Sequence, residues 1–223
     1  MSHINPLEDV TFSDDLEPRC PCVLLLDTSS SMRGEPIQRL NEGIHTFKNS
    51  LLQDPIAARR VEVAIVTFDS EVRVVQDFIE AHSFVAPTLT EKGMTHMAAG
   101  IEQALDMIQL RKEHYRHQGI MYYRPWVFMI TDGAPQGETE SAISHAGARI
   151  KEMDTEKRVS FFAVGVEGAD IQRLEMMTAR TPLKLKDLNF NELFVWLSRS
   201  LQSVSRSKPG DQAALPPVGW SYV

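Results

Sequence analysis

Asp27, Ser29 and Ser31 alternate along five residues, and the apolar run Val23-Leu24-Leu25-Leu26 leads straight into them. A short greasy run bounded by polar residues reads as a buried central strand. Oxygen groups where such a strand ends sit at the mouth of an open α/β sheet, where ligands bind. One tight loop turns all three oxygens toward a common point. Oxygen donors of mixed charge suit a hard divalent cation, Mg²⁺ before Ca²⁺ or Mn²⁺. The same residues equally suit a hydroxyl-capped loop entering a helix, because Ser is a favoured N-cap. This stretch alone does not choose between the two.

Two more positions share this character. Thr95 closes the loop Glu91-Lys92-Gly93-Met94-Thr95 just ahead of a helical stretch, and Asp132-Gly133 follows the apolar run 126–130 and Thr131. With the first loop they make two carboxylates and three hydroxyls, most of an octahedral shell, and two aspartates balance one divalent charge. Each residue also has a plainer role: Thr95 and Ser29 as helix caps, Asp132 in an Asp-Gly turn. Such roles are cheap singly; five at the ends of the expected elements are not.

The elements that must position these groups alternate in type. Strands are expected at 19–26, 61–68, 72–78, 125–131, 159–166 and 183–185. Helices are expected at 35–53, where Ile37, Leu40, Ile44, Phe47 and Leu51 mark one face, and at 96–118, 140–154, 170–178 and 190–204. Residues 79–90 read as a short helix or loop. This order implies an α/β fold, a mainly parallel sheet covered by helices on both faces, with 72–78 as one antiparallel edge strand after a tight turn. Right-handed crossovers put the ends of the first and fourth strands on the same rim. Residues 1–18 read as a loose arm with Val10 and Phe12 against the body, 19–204 as the domain, and 205–223 as a tail that Trp220 and Tyr222 could pin.

The bulk numbers remove several classes. A chain of 223 residues with 43% hydrophobic content allows one large domain with a real core, and a net charge of −7 argues against a nucleic-acid partner. Cys20 and Cys22, separated by Pro21, lack the second pair of a zinc ribbon and are poorly placed to bridge each other. Reduced thiols, an acidic N-terminus without an apolar core and no run of membrane-spanning length lead to the expectation of a soluble cytoplasmic protein with no membrane partner. Glu113-His114 and His117 have the wrong order and spacing for a metalloprotease helix, and neither a P-loop nor a G-x-S-x-G elbow is present.

Asp27-Thr28-Ser29-Ser30-Ser31, Thr95 and Ile130-Thr131-Asp132-Gly133 together resemble the von Willebrand factor type A (VWA) domain and its metal-ion-dependent adhesion site, D-x-S-x-S plus a threonine and a second aspartate. The resemblance implies a three-layer Rossmann-like fold over roughly 22–204. It also implies a protein-interaction module rather than an enzyme. By the same resemblance, Ser29, Ser31 and Thr95 are direct metal ligands, Asp27 and Asp132 act mostly through water, and the open position takes an acidic residue of a protein partner. Ser30 departs from the common glycine. Arg19-Cys20-Pro21-Cys22, Tyr122-Tyr123-Arg124-Pro125-Trp126 and the run 131–135 resemble the bacterial TerY/YegL branch, which implies a stress-response or signalling assembly, tellurite resistance among them. The alternative is a Mg²⁺-dependent phosphotransferase of the haloacid-dehalogenase type with Asp27 as nucleophile. That chemistry wants a second acid two residues on, where this chain has Ser29.

Overall fold

The computed structural model describes residues 17–222. In chain order its elements are β1 (Cys20–Asp27), α1 (Glu35–Leu52), α2 (Pro55–Arg60), β2 (Val61–Phe68), β3 (Val72–Glu80), α3 (Met97–His117), β4 (Trp126–Thr131), α4 (Glu140–Thr155), β5 (Ser160–Gly165), α5 (Ile171–Met177), β6 (Leu183–Leu185), α6 (Phe190–Arg206) and β7 (Ser221–Tyr222). The sheet runs β3-β2-β1-β4-β5-β6-β7. Its interior pairs are parallel, while β3 and β7 are antiparallel.

β1 is buried along its whole length, and alternation divides its side chains between two cores. Cys20, Cys22, Leu24 and Leu26 join Leu40, Ile44 and Phe47 of α1 and Phe194, Leu197 and Leu201 of α6. Val23 and Leu25 join Ile101, Leu105 and Ile108 of α3, Ile143 and Ile150 of α4 and Leu174 of α5. This is the three-layer arrangement expected. α1 and α6 approach so closely at Gly43 that a β-carbon there would stand 2.4 Å from Phe194 Cδ2. Both cysteines are free and buried, and burial pushes the Cys20 thiol up to about 12.

Three local features differ from the sequence reading. Asp54-Pro55 ends α1 as expected but also opens α2, because the Asp54 carboxylate accepts from the Ile56 and Ala57 N–H groups and proline suits the first helical turn. β3 extends to Glu80, so 79–90 begins as strand and continues as an irregular loop. The stretch past 205, read as a tail that Trp220 and Tyr222 could pin, does bury Trp220, but it also adds a strand that was not expected, β7, antiparallel beside β6. Two residues are too few to show alternation in a sequence. Val10 and Phe12 lie outside the described residues. Glu17 pairs with Arg60 at 2.6 Å. Among the described residues, no helix is long and apolar enough to cross a membrane.

Candidate metal centre

Register decides what stands beside Asp27. Leu26 is paired with Ile130 across β1 and β4, so the next residues, Asp27 and Thr131, end their strands side by side. The Thr131 hydroxyl donates to Asp27 Oδ2 at 2.5 Å, and the Ser29 N–H donates to Oδ1 at 2.8 Å. The carboxylate is fully buried with both oxygens engaged.

From there a line of oxygens crosses the rim. Ser29 Oγ lies 2.9 Å from Ser31 Oγ, which donates to Asp132 Oδ1 at 2.7 Å. Thr95 arrives from the second loop, 91–95. A β-carbon built on Gly133 would stand 3.8 Å from both Ser31 Oγ and Thr95 Oγ1, so these hydroxyls flank one point over the glycine. The structure therefore brings together all five residues singled out in the sequence. Ser30, in the departing position, is exposed on the rim.

The plainer roles do not account for them. The N-cap of α3 is His96, whose side chain makes no capping bond; the Ala98 and Ala99 N–H groups instead donate to the Glu138 carboxylate at 2.8 Å each. The Thr95 hydroxyl, 2% exposed as a residue, makes no hydrogen bond among the described residues. Ser29 precedes the 3₁₀ turn Ser30–Met32 without capping it.

Electrostatics sets these two aspartates apart. The buried carboxylates among the described residues are Asp27, Asp54, Glu62, Asp69, Asp132 and Asp154. Four have an arginine: Asp54 has Arg206, Glu62 has Arg111, Asp69 has Arg73, and Asp154 has both Arg124 and Arg180. Asp27 and Asp132 have no cationic partner among the described residues. Burial pushes Asp27 up to about 6, against the hydrogen bonds from Ser29 and Thr131 and with some help from the Asp132 charge. Burial also raises Asp132, against the Ser31 bond. Buried charges are costly unless paired, and a divalent cation between the two would be the missing partner. No three His, Cys, Asp or Glu side chains converge among the described residues. Any cation here would therefore be held by hydroxyls as much as by carboxylates, a set of hard oxygens that fits Mg²⁺ better than zinc or copper.

The sequence reading missed the supports. Thr131 was visible in principle, since pairing the first and fourth strands by their apolar runs sets it beside Asp27. Asp69 was read as a turn residue. Burial raises its carboxyl, but Arg73, the Glu71 N–H and the Thr28 hydroxyl together hold it below the usual range. Its carbonyl also anchors the His96 N–H at 2.9 Å, which ties the first and second loops together. Glu138 caps a helix 40 residues away, and nothing local signals that. The phosphotransferase alternative gains no support, because both Asp27 oxygens are occupied and Ser29 offers a hydroxyl where an acid is needed. Tyr123 packs by donating to the Ser205 carbonyl, and Tyr122 stacks on Tyr115.

The family model described as the von Willebrand factor type A domain matches residues 22–194. A von Willebrand factor type A protein from Catenulispora acidiphila superposes with a TM-score of 0.65 at 17% identity, over 83% of this chain and 43% of that one. The pilus adhesin SpaC from Lactobacillus rhamnosus GG gives 0.64 at 14%, over 83% and 31%. The minor pilin PilB from Streptococcus sanguinis gives 0.56 at 12%, over 83% and 62%. At these identities the likeness is one of fold, and the chain spans less than two thirds of each of these proteins. A comparison with the curated proteins found no match.

Proposed function

The chain belongs to the von Willebrand factor type A family, and on that premise we propose that its rim is a metal-ion-dependent adhesion site that engages a protein partner. The observation that carries this reading is the pair of buried aspartates with no cationic partner among the described residues, linked across the rim through Ser29 and Ser31. Ser29, Ser31 and Thr95 would hold the ion directly, with Asp27 and Asp132 behind them through water. Because both aspartates would act through water, a Mg²⁺ held here would keep electrophilicity for one more ligand, and its open position would suit an acidic side chain of the partner. Thr131 and the Ser29 N–H fix Asp27, and the Asp69 network fixes the loops, so the protein positions ligands and performs no bond-breaking step.

The resemblance to the TerY/YegL branch supports a bacterial cytoplasmic setting, in a stress-response or signalling assembly of the tellurite-resistance kind. Pull-down from a lysate of the source organism, in Mg²⁺ and in EDTA, tests the module. A protein retained by the wild type in Mg²⁺ alone, and lost with Ser29→Ala/Ser31→Ala, is expected. Capture that survives EDTA or the double substitution contradicts the proposal. Sustained Mg²⁺-dependent hydrolysis of p-nitrophenyl phosphate, lost in Asp27→Asn, would instead favour the phosphotransferase.

A further inference from the structure

At the pole opposite the rim, where β4 and β5 begin, lies a cavity of about 710 Å³. It opens between the second half of α3, the turn after α4 and the segment after α6. Five cationic side chains line it, Lys112, Arg124, Lys157, Arg158 and Arg180, against one carboxylate, Asp211. In a chain of net charge −7 this is a local reversal of sign.

Some of these cations are accounted for. Glu152 and Glu156 hold Arg158 at 2.5 and 2.7 Å. Arg124 and Arg180 share a single carboxylate, Asp154, which is 7% exposed, and Arg124 also donates to the Val159 and Asp154 carbonyls. The two lysines are not accounted for in this way. Lys112 is 6% exposed, and its only bond among the described residues is a long one, 3.4 Å, to the Arg158 carbonyl. An ammonium has three donors, and this one has no carboxylate partner among the described residues. Burial, and then the Arg116 and Arg158 charges, lowers its pKa. Lys157 also lacks a carboxylate among the described residues, and its backbone has φ 58°, a conformation non-glycine residues seldom adopt.

Part of the remaining wall is aromatic. The Arg180 guanidinium stands 5.1 Å above the Phe162 ring, and Trp126 packs on Phe162 at 4.8 Å between centroids. A cavity of this size matches a small molecule rather than a polymer. Lysine and arginine donors together are the usual means of holding phosphate oxygens, and a guanidinium above a ring offers a face for a planar group.

We propose that this cavity binds a small organic phosphate with a planar body, independently of the rim. The test is calorimetric titration of the full chain with ADP at low salt in EDTA, so that no cation is offered to the rim. Saturable binding is expected, weakened about tenfold in Lys112→Met, the loss of one charge-assisted hydrogen bond. Lys157→Asn, which keeps a residue tolerant of the left-handed conformation, is expected to weaken it less. Ser29→Ala/Ser31→Ala is expected to leave it unchanged. Pyrophosphate, lacking the planar body, is expected to bind more weakly than ADP. No heat with ADP at about 5 mM, beyond any useful affinity, would overturn the proposal. So would equal affinity in Lys112→Met and wild type with both folded by circular dichroism, or pyrophosphate binding as tightly as ADP.

Discussion

The two poles of the sheet solve the problem of buried charge in opposite ways. At the rim, two carboxylates lie buried with hydroxyls for company and no cation among the described residues. At the other pole Glu62 is gripped by Arg111 at 2.7 Å and hydrogen-bonded by Tyr115, and Asp154 by two arginines, with Lys112 left over. One pole pairs its buried acids from within the chain and carries surplus positive charge; at the other the two buried acids have no cation among the described residues. Leaving buried acids unpaired costs a fold stability, and the proposed metal would offset that cost.

The sharpest way to break this contrast is to remove one charge at each pole. Arg111→Met leaves Glu62 with Tyr115 and a distant Arg19 at 3.7 Å, and is expected to cost about 3 kcal/mol in urea unfolding, as losing one member of a buried pair does. Asp132→Asn in EDTA is expected to leave stability unchanged or raised, because no cation is lost with it. Equal destabilisation by both would erase the distinction. Next in size is metal linkage. Saturating Mg²⁺ is expected to stabilise the wild type by about 2–3 kcal/mol at a hundredfold excess over the dissociation constant, and to do nothing for Ser29→Ala/Ser31→Ala.

Acidity gives a smaller effect with a defined sign. Asp27 is raised in the folded chain from 3.8 to about 6, so its contribution is fully present below 3.8 and lost as pH rises through about 6. The metal-free protein is therefore expected to gain about 1 kcal/mol between pH 7 and pH 5 relative to Asp27→Asn; a gain equal in both would remove Asp27 as its source. The smallest effect belongs to Thr95→Ala, expected to change metal-free stability by less than about 0.5 kcal/mol, as at a site outside any cap or network, while weakening Mg²⁺ binding. A loss of about 1 kcal/mol in EDTA would make Thr95 a helix cap after all.

Much of this was legible before any coordinates. Periodicity separated β1, β2 and β4 from α1 and α3, and the end of each apolar run marked where an oxygen-bearing side chain would emerge. Right-handed crossovers alone put Asp27 and Asp132 on the same rim; that β1 and β4 are neighbours, which sets them side by side, is seen only in the sheet order. What stayed hidden depends on contacts far apart in sequence. The Glu138 cap spans 40 residues, the β7 strand that Trp220 leads into is too short to show a pattern, and the cationic cavity gathers Lys112, Lys157 and Arg180 from three separate elements. α2 was hidden differently: Asp54-Pro55 is both a stop and a start, and propensity reads only the stop.

Anomalous diffraction from crystals grown with Mn²⁺ addresses the rim most directly. A single peak enclosed by Asp27, Ser29, Ser31, Thr95 and Asp132, absent from crystals of Ser29→Ala/Ser31→Ala, is the predicted result. Ordered rim loops at saturating Mn²⁺ with no peak among those five residues would contradict the account.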